Sequence, residues 1–173
     1  MKRLAILAIT LSCLPGLLCL APGTETAWAQ SSWNDGNNNW NTAGNWSPVG
    51  VPNSSTMDVS ITNGTSSTPT TVTLDVSPSI QNLALANYNT LSFGLGQALF
   101  VYGTSISNHG QITINRGGGS NTDLVLENNV TLSGAGTLTM TVAGGGGRSF
   151  IEQGLGGLTL TNVNNTIQGA GII

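Results

Sequence analysis

The chain has 173 residues with only four Lys or Arg, seven Asp or Glu and one His, for a formal net charge of −3. So sparse and negative a charge set excludes a basic groove for nucleic acid or anionic lipid. Lys2 is the sole lysine, so a phosphate-cradling P-loop is excluded too.

Residues 1–29 read as a signal peptide. Lys2 and Arg3 form a positive start, Leu4 to Leu20 is an apolar run broken at Pro15-Gly16, and Ala27-Trp28-Ala29 places small residues for cleavage before Gln30. The run falls short of the roughly 20 apolar residues a membrane span needs and holds a helix breaker. Cleavage removes both cysteines, so the mature chain has no disulfide and no thiolate metal site. It keeps Arg116, Arg148, His109 and the carboxylates Asp35, Asp58, Asp75, Asp123, Glu127 and Glu152. The expected location is extracellular or on a bacterial cell surface at the outer membrane, with no span in the mature chain.

Residues 30–55 follow as a Trp/Asn-rich segment, "SSWNDGNNNWNTAGNWSPVGVP" from 31 to 52. Trp33, Trp40 and Trp46 suit an N-terminal cap, because large rings on turn-rich backbone can cover an open apolar end while each indole N–H finds a carbonyl. The alternative use of the same three rings is a platform for stacking on sugar faces. Asp35 with Asn34 and Asn37 offers a single carboxylate, poor for a hard cation, and no metal site or cofactor is expected.

From residue 56 to 173 period-2 alternation takes over: "MDVSI", "TVTLDV", "NLAL", "ALFVY", "QITIN", "DLVLE", "TLTMTV" and "GLTLT". Such alternation means short, half-buried strands, punctuated here by Gly, Asn, Pro and Ser. Leu83, Leu85, Ile112, Ile114, Leu124, Leu126, Leu138, Met140, Leu158 and Leu160 are the expected core. Internal echoes point to repetition. "MDVS" and "LDVS" lie 17 residues apart, and "LVLENNVTLSGAG" resembles "LTLTNVNNTIQGAG" at a spacing of 34–35. A coil of about 17 to 20 residues, sometimes doubled, fits a β-solenoid, in which each strand stacks on its equivalent at ~4.8 Å. A β-sandwich is the alternative, since it also wants short alternating strands. The runs Gly117–Gly119 and Gly144–Gly147 read as flexible excursions between coils.

The tryptophan cluster behind a signal peptide, then V-x-I strands (Val59, Ile61), L-x-L pairs and "NNTIQGAG" (164–171), resembles secreted bacterial β-helix proteins. These are autotransporter-type passenger domains, large exoproteins and adhesin-like proteins with autotransporter-associated β-strand repeats. The resemblance covers nearly all of the mature chain. It implies a right-handed parallel β-helix and a non-catalytic structural or adhesin-like role, and it carries over no catalytic residue. No translocator barrel is present in these 173 residues.

The rival function is a polysaccharide-binding or polysaccharide-degrading β-helix, a lyase or glycosidase. A glycosidase needs two carboxylates about 5–9.5 Å apart. Asp123 and Glu127 share one strand side, but four residues of straight strand separate them by ~13 Å. Asp58 and Asp75 could stack on adjacent coils, both outward, and both pairs also fit plain solvated strand faces. Arg116, Arg148 and His109 are the only bases for a lyase, and His109 in "SNHGQ" reads as a turn residue. Outward T-x-T pairs (Thr71/Thr73, Thr137/Thr139, Thr139/Thr141, Thr159/Thr161) also occur in ice-binding solenoids. Their irregular sequence spacing and the strand preference of threonine argue against that use here. "NNTIQGAGII" ends on apolar Ile167, Ile172 and Ile173, so the last coil is expected to be truncated. A downstream β-helix or translocator region, self-association, or contact with glycans or a host or biofilm surface would complete it.

Overall fold

The computed structural model describes residues 29–142 and 145–173; of the signal peptide expected over residues 1–29, residues 1–28 lie outside them. Among the described residues the chain is a parallel β-helix of three walls. The first turn comprises β1 (Ala29–Trp33), β2 (Asn38–Asn39) and β3 (Trp46–Ser47). Full coils follow: β4 (Met57–Ile61), β5 (Thr70–Leu74) and β6 (Ser79–Ile80), then β7 (Leu83–Leu85), β8 (Asn89–Phe93) and β9 (Ala98–Val101). The third is β10 (Ser105–Asn108), β11 (Gln111–Arg116) and β12 (Thr122–Leu126). The fourth is β13 (Val130–Ser133), β14 (Thr137–Val142) and β15 (Ser149–Gln153), and the last begins with β16 (Leu160–Asn162) and β17 (Thr166–Gly169).

Every third strand joins the same wall. Wall A runs β16-β13-β10-β7-β4-β1-β3, wall B runs β17-β14-β11-β8-β5-β2, and wall C runs β15-β12-β9-β6. All neighbours are parallel except β3, which closes the N-terminal edge of wall A by running antiparallel to β1. The β-sandwich alternative is thereby set aside: the walls are parallel ladders between coils, not antiparallel sheets joined by hairpins.

Alternation sends one side of every strand into a continuous lumen. Val59, Leu83, Ile106 and Leu132 form one inward column on wall A. Val72, Leu91, Ile112 and Leu138 form one on wall B, and Leu99, Leu124 and Ile151 one on wall C. All of these are buried, each contributing roughly 1.5–3 kcal/mol of apolar burial. Of the expected core, Leu83, Leu85, Ile112, Ile114, Leu124, Leu126, Leu138 and Met140 are buried. Leu158 and Leu160 are only half-buried, because no described coil covers them from above.

The expected repeat length needs correction. Thr71, Thr90, Gln111, Thr137 and Thr166 succeed one another on wall B in steps of 19, 21, 26 and 29 residues. Only the first step fits a unit of 17 to 20. The "MDVS"/"LDVS" echo links wall A to the end of a wall B strand within one coil, so Asp58 and Asp75 do not stack. The 34-residue echo places Leu124 and Leu126 on wall C but Leu160 on wall A. Period-2 patterning tells which residues face inward; corner length decides which wall they join. Gly117–Gly119 and the described part of the second run, Gly145–Gly147, lie at the corner between walls B and C, where Gly117 bridges Ser120 and Gly145 sits over Gly118.

Candidate functional surfaces

The N-terminal rings come first. Trp33 on β1 is in register with Trp46 on β3, and Trp40 follows β2. Trp33 and Trp46 meet edge to face at 4.9 Å, and Trp40 and Trp46 at 4.7 Å. Each indole donates to a carbonyl: Trp33 Nε1 to Gly36 O at 3.1 Å, Trp40 Nε1 to Pro52 O at 3.1 Å and Trp46 Nε1 to Trp40 O at 2.8 Å. Their exposures are 3%, 0% and 0%. They therefore roof the lumen, and no ring face is free for a sugar, which corrects the platform alternative for Trp33, Trp40 and Trp46. Stacking needs an open ring face, and apolar burial against the first coil has consumed all three.

The adjoining Asp35 is spent on its own turn. Its carboxylate accepts Gly36 N and Asn38 Nδ2, both at 2.8 Å, and these bonds hold it below the usual carboxylate range. Asn37 accepts Thr71 N at 2.7 Å. Among the described residues no group of three or more His, Cys, Asp or Glu is placed to hold a metal ion.

On the outer face of wall C the structure makes a pairing that the sequence hid. Asp123 lies opposite Ala98 and Phe150, and Val125 opposite Phe100 and Glu152. Asp123 and Glu152 are therefore diagonal neighbours on adjacent coils, flanked by half-buried Phe100 and Phe150. Burial, and then the negative charge of Glu152, raise the pKa of Asp123 above its ordinary value. Glu127, the carboxylate nearest to Asp123 in sequence and judged too distant on a straight strand, lays its carboxylate over Gly154. The 27-residue step from Thr122 to Ser149 that brings Glu152 into place has no sequence signature.

The other ionisable groups are dispersed. Asp58 accepts Asn82 Nδ2 at 2.8 Å on wall A, and Asp75 accepts Asn41 N at 2.9 Å near the roof. Arg116 Nη1 donates to Gly147 O at 3.0 Å, and with Arg148 it lines a shallow open pocket of about 290 Å³ alongside Ala170, Gly171 and Ile172. His109 is an exposed corner residue.

The shifted Asp123 gives a pH signature with a definite sign. An acid whose folded pKa is raised holds its proton more tightly in the fold, so stability falls as pH climbs through the unfolded value of 3.8 and stays reduced above the folded one. Asp123→Asn is expected to melt above the parent protein at pH 7, with the difference vanishing near pH ~3, below both pKa values. A variant that melts at or below the parent at pH 7 contradicts this placement of Asp123.

At the C-terminal coil Ile172 bridges Phe150, and beyond it a groove of about 540 Å³ opens. Leu126, Ile151, Leu158, Leu160 and Ile173 supply its apolar lining. Ile173 is 71% exposed. No helix among the described residues is long and apolar enough to cross a membrane. No protein-family model, curated protein or solved structure matches the chain.

Proposed function

We propose that this chain is a non-catalytic structural module of a secreted or cell-surface protein, working in the manner of an adhesin through its long polar walls. One observation carries the reading: a parallel β-helix roofed at one end by three buried tryptophans, whose outward columns are mainly small polar side chains. Such a rod projects a surface without needing a cleft. The open groove beside Ile173 suits the stacking of a further β-coil or of a second copy, since an uncovered strand edge is a template for pairing.

A polysaccharide-active β-helix is the second reading, favoured by the adjacent carboxylates of Asp123 and Glu152 beside Phe100 and Phe150. One experiment separates the two. The purified protein is applied to a glycan array and to the soluble glycans it retains. Binding without release of reducing ends is the expected result. Release of reducing ends that Glu152→Gln abolishes would replace the adhesin reading with the enzyme. In the same preparation, mass measured by light scattering is expected to rise with concentration. A constant monomer whose last coil resists hydrogen exchange would remove the stacking proposal.

A further inference from the structure

The outer face of wall B carries an arrangement that sequence spacing conceals. Thr71, Thr90, Gln111, Thr137 and Thr166 stack in one outward column. Thr73, Ser92, Thr113, Thr139 and Gln168 stack in the next. Over the four coils from β5 to β14 every position in the two columns is a hydroxyl except Gln111. The T-x-T pairs look irregular along the chain because the coils lengthen, yet the register aligns them. Thr159/Thr161 lies elsewhere, with Thr161 on wall A.

We propose that this wall is an ice-binding plane, its ligand the ordered water of an ice surface. Lattice dimensions favour it. Neighbouring coils place hydroxyls ~4.8 Å apart, and alternate residues along a strand place them ~6.6 Å apart. A tetrahedral water lattice with O···O near 2.75 Å repeats at about 4.5 Å within a layer and about 7.3 Å across layers. The residual mismatch is about 0.3 Å between coils and about 0.7 Å along the strand, within the reach of a side-chain torsion. Charge agrees as well. None of the ten residues in these columns is ionisable, which matches a neutral surface; the neighbouring carboxylates Asp123 and Glu152 lie on wall C. None is aromatic either, so the face lacks the rings that recognise a glycan. The β-branched threonines hold few rotamers, so little side-chain entropy is lost when the array meets a lattice. The hydroxyls stay half-exposed from β5 to β14 because each is flanked by its neighbour in the column.

The test measures ice recrystallisation and ice-crystal shape in solutions of the purified protein. The parent protein is expected to arrest recrystallisation and to facet crystals. The double variant Thr113→Tyr/Thr139→Tyr is expected to need at least tenfold more protein for the same arrest. Ser107→Tyr, on wall A, is expected to match the parent. Circular dichroism and melting confirm that each variant is folded; if the double variant is not, Thr113→Lys, which puts a hydrated charge into the array, is read in its place with the same tenfold expectation. A folded parent with no effect on ice overturns the proposal. So does a wall B variant as active as the parent, or a Ser107→Tyr variant that loses as much. Retention on microcrystalline cellulose without any effect on ice would assign the wall to a glycan instead and also overturn it. The adhesin reading above does not depend on this outcome.

Discussion

Trp46→Ala is expected to lower stability by about 3–5 kcal/mol, the range for truncating a fully buried large aromatic. Trp46 touches both other rings, and its indole holds Trp40 O at 2.8 Å. Its loss opens the roof, frees the carbonyl of Trp40 and removes the anchor of β3, the strand that closes the wall A edge. Solenoid stability is close to a sum of coil terms and nearest-neighbour interfaces. Hydrogen exchange should therefore accelerate first in β1 and β4, with β11 and β14 retaining protection longest. Denaturant titration gives the total. A loss under ~1 kcal/mol, ordinary for a surface site, would show that the rings do not carry the cap.

Asn108→Leu is expected to cost a comparable amount through hydrogen bonding alone. Asn108 is 0% exposed at the corner between walls A and B. Its Nδ2 donates to Thr137 O at 3.2 Å and to Asn165 Oδ1 at 2.9 Å, and its Oδ1 accepts Gly110 N at 3.1 Å. The side chain thus ties three successive coils together. It reaches Asn165 past Gly134 and Gly136, where a Cβ would come within 2.4 and 2.5 Å of Asn108 O. Gly134 also needs its φ of +107°, where an L side chain is strained. Leucine has nearly the same shape but leaves those three partners without bonds, at about 1–3 kcal/mol each, so about 3 kcal/mol or more together. Asn128→Leu is the control. Asn128 is exposed, and its two bonds, Nδ2 to Tyr102 O at 3.3 Å and Oδ1 from Asn129 N at 2.8 Å, lie at the surface where water can replace them, so a change within about ±0.5 kcal/mol is expected. Equal losses in the two variants would refute the corner ladder as a stabilising device.

The sequence by itself determined the class of the fold and the identity of most of its lumen. Alternation in "QITIN" and "TLTMTV" assigns Ile112, Ile114, Leu138 and Met140 to the inside because side chains of a strand point to opposite faces with period 2. The tryptophans were legible as a roof for the same kind of reason: three large rings need burial, and an open coil end supplies it. Alignment between coils was not legible. Thr113 meets Thr139 after 26 residues, while Thr71 meets Thr90 after 19. Nothing local fixes that difference, since corner loops absorb or release residues at small free-energy cost. The juxtaposition of Asp123 with Glu152, the stacking of two hydroxyl columns on wall B and the reach of Asn108 to Asn165 therefore belong to the tertiary structure. Each depends on which residue stands one coil away, and that is set when parallel ladders lock in register to bury the lumen.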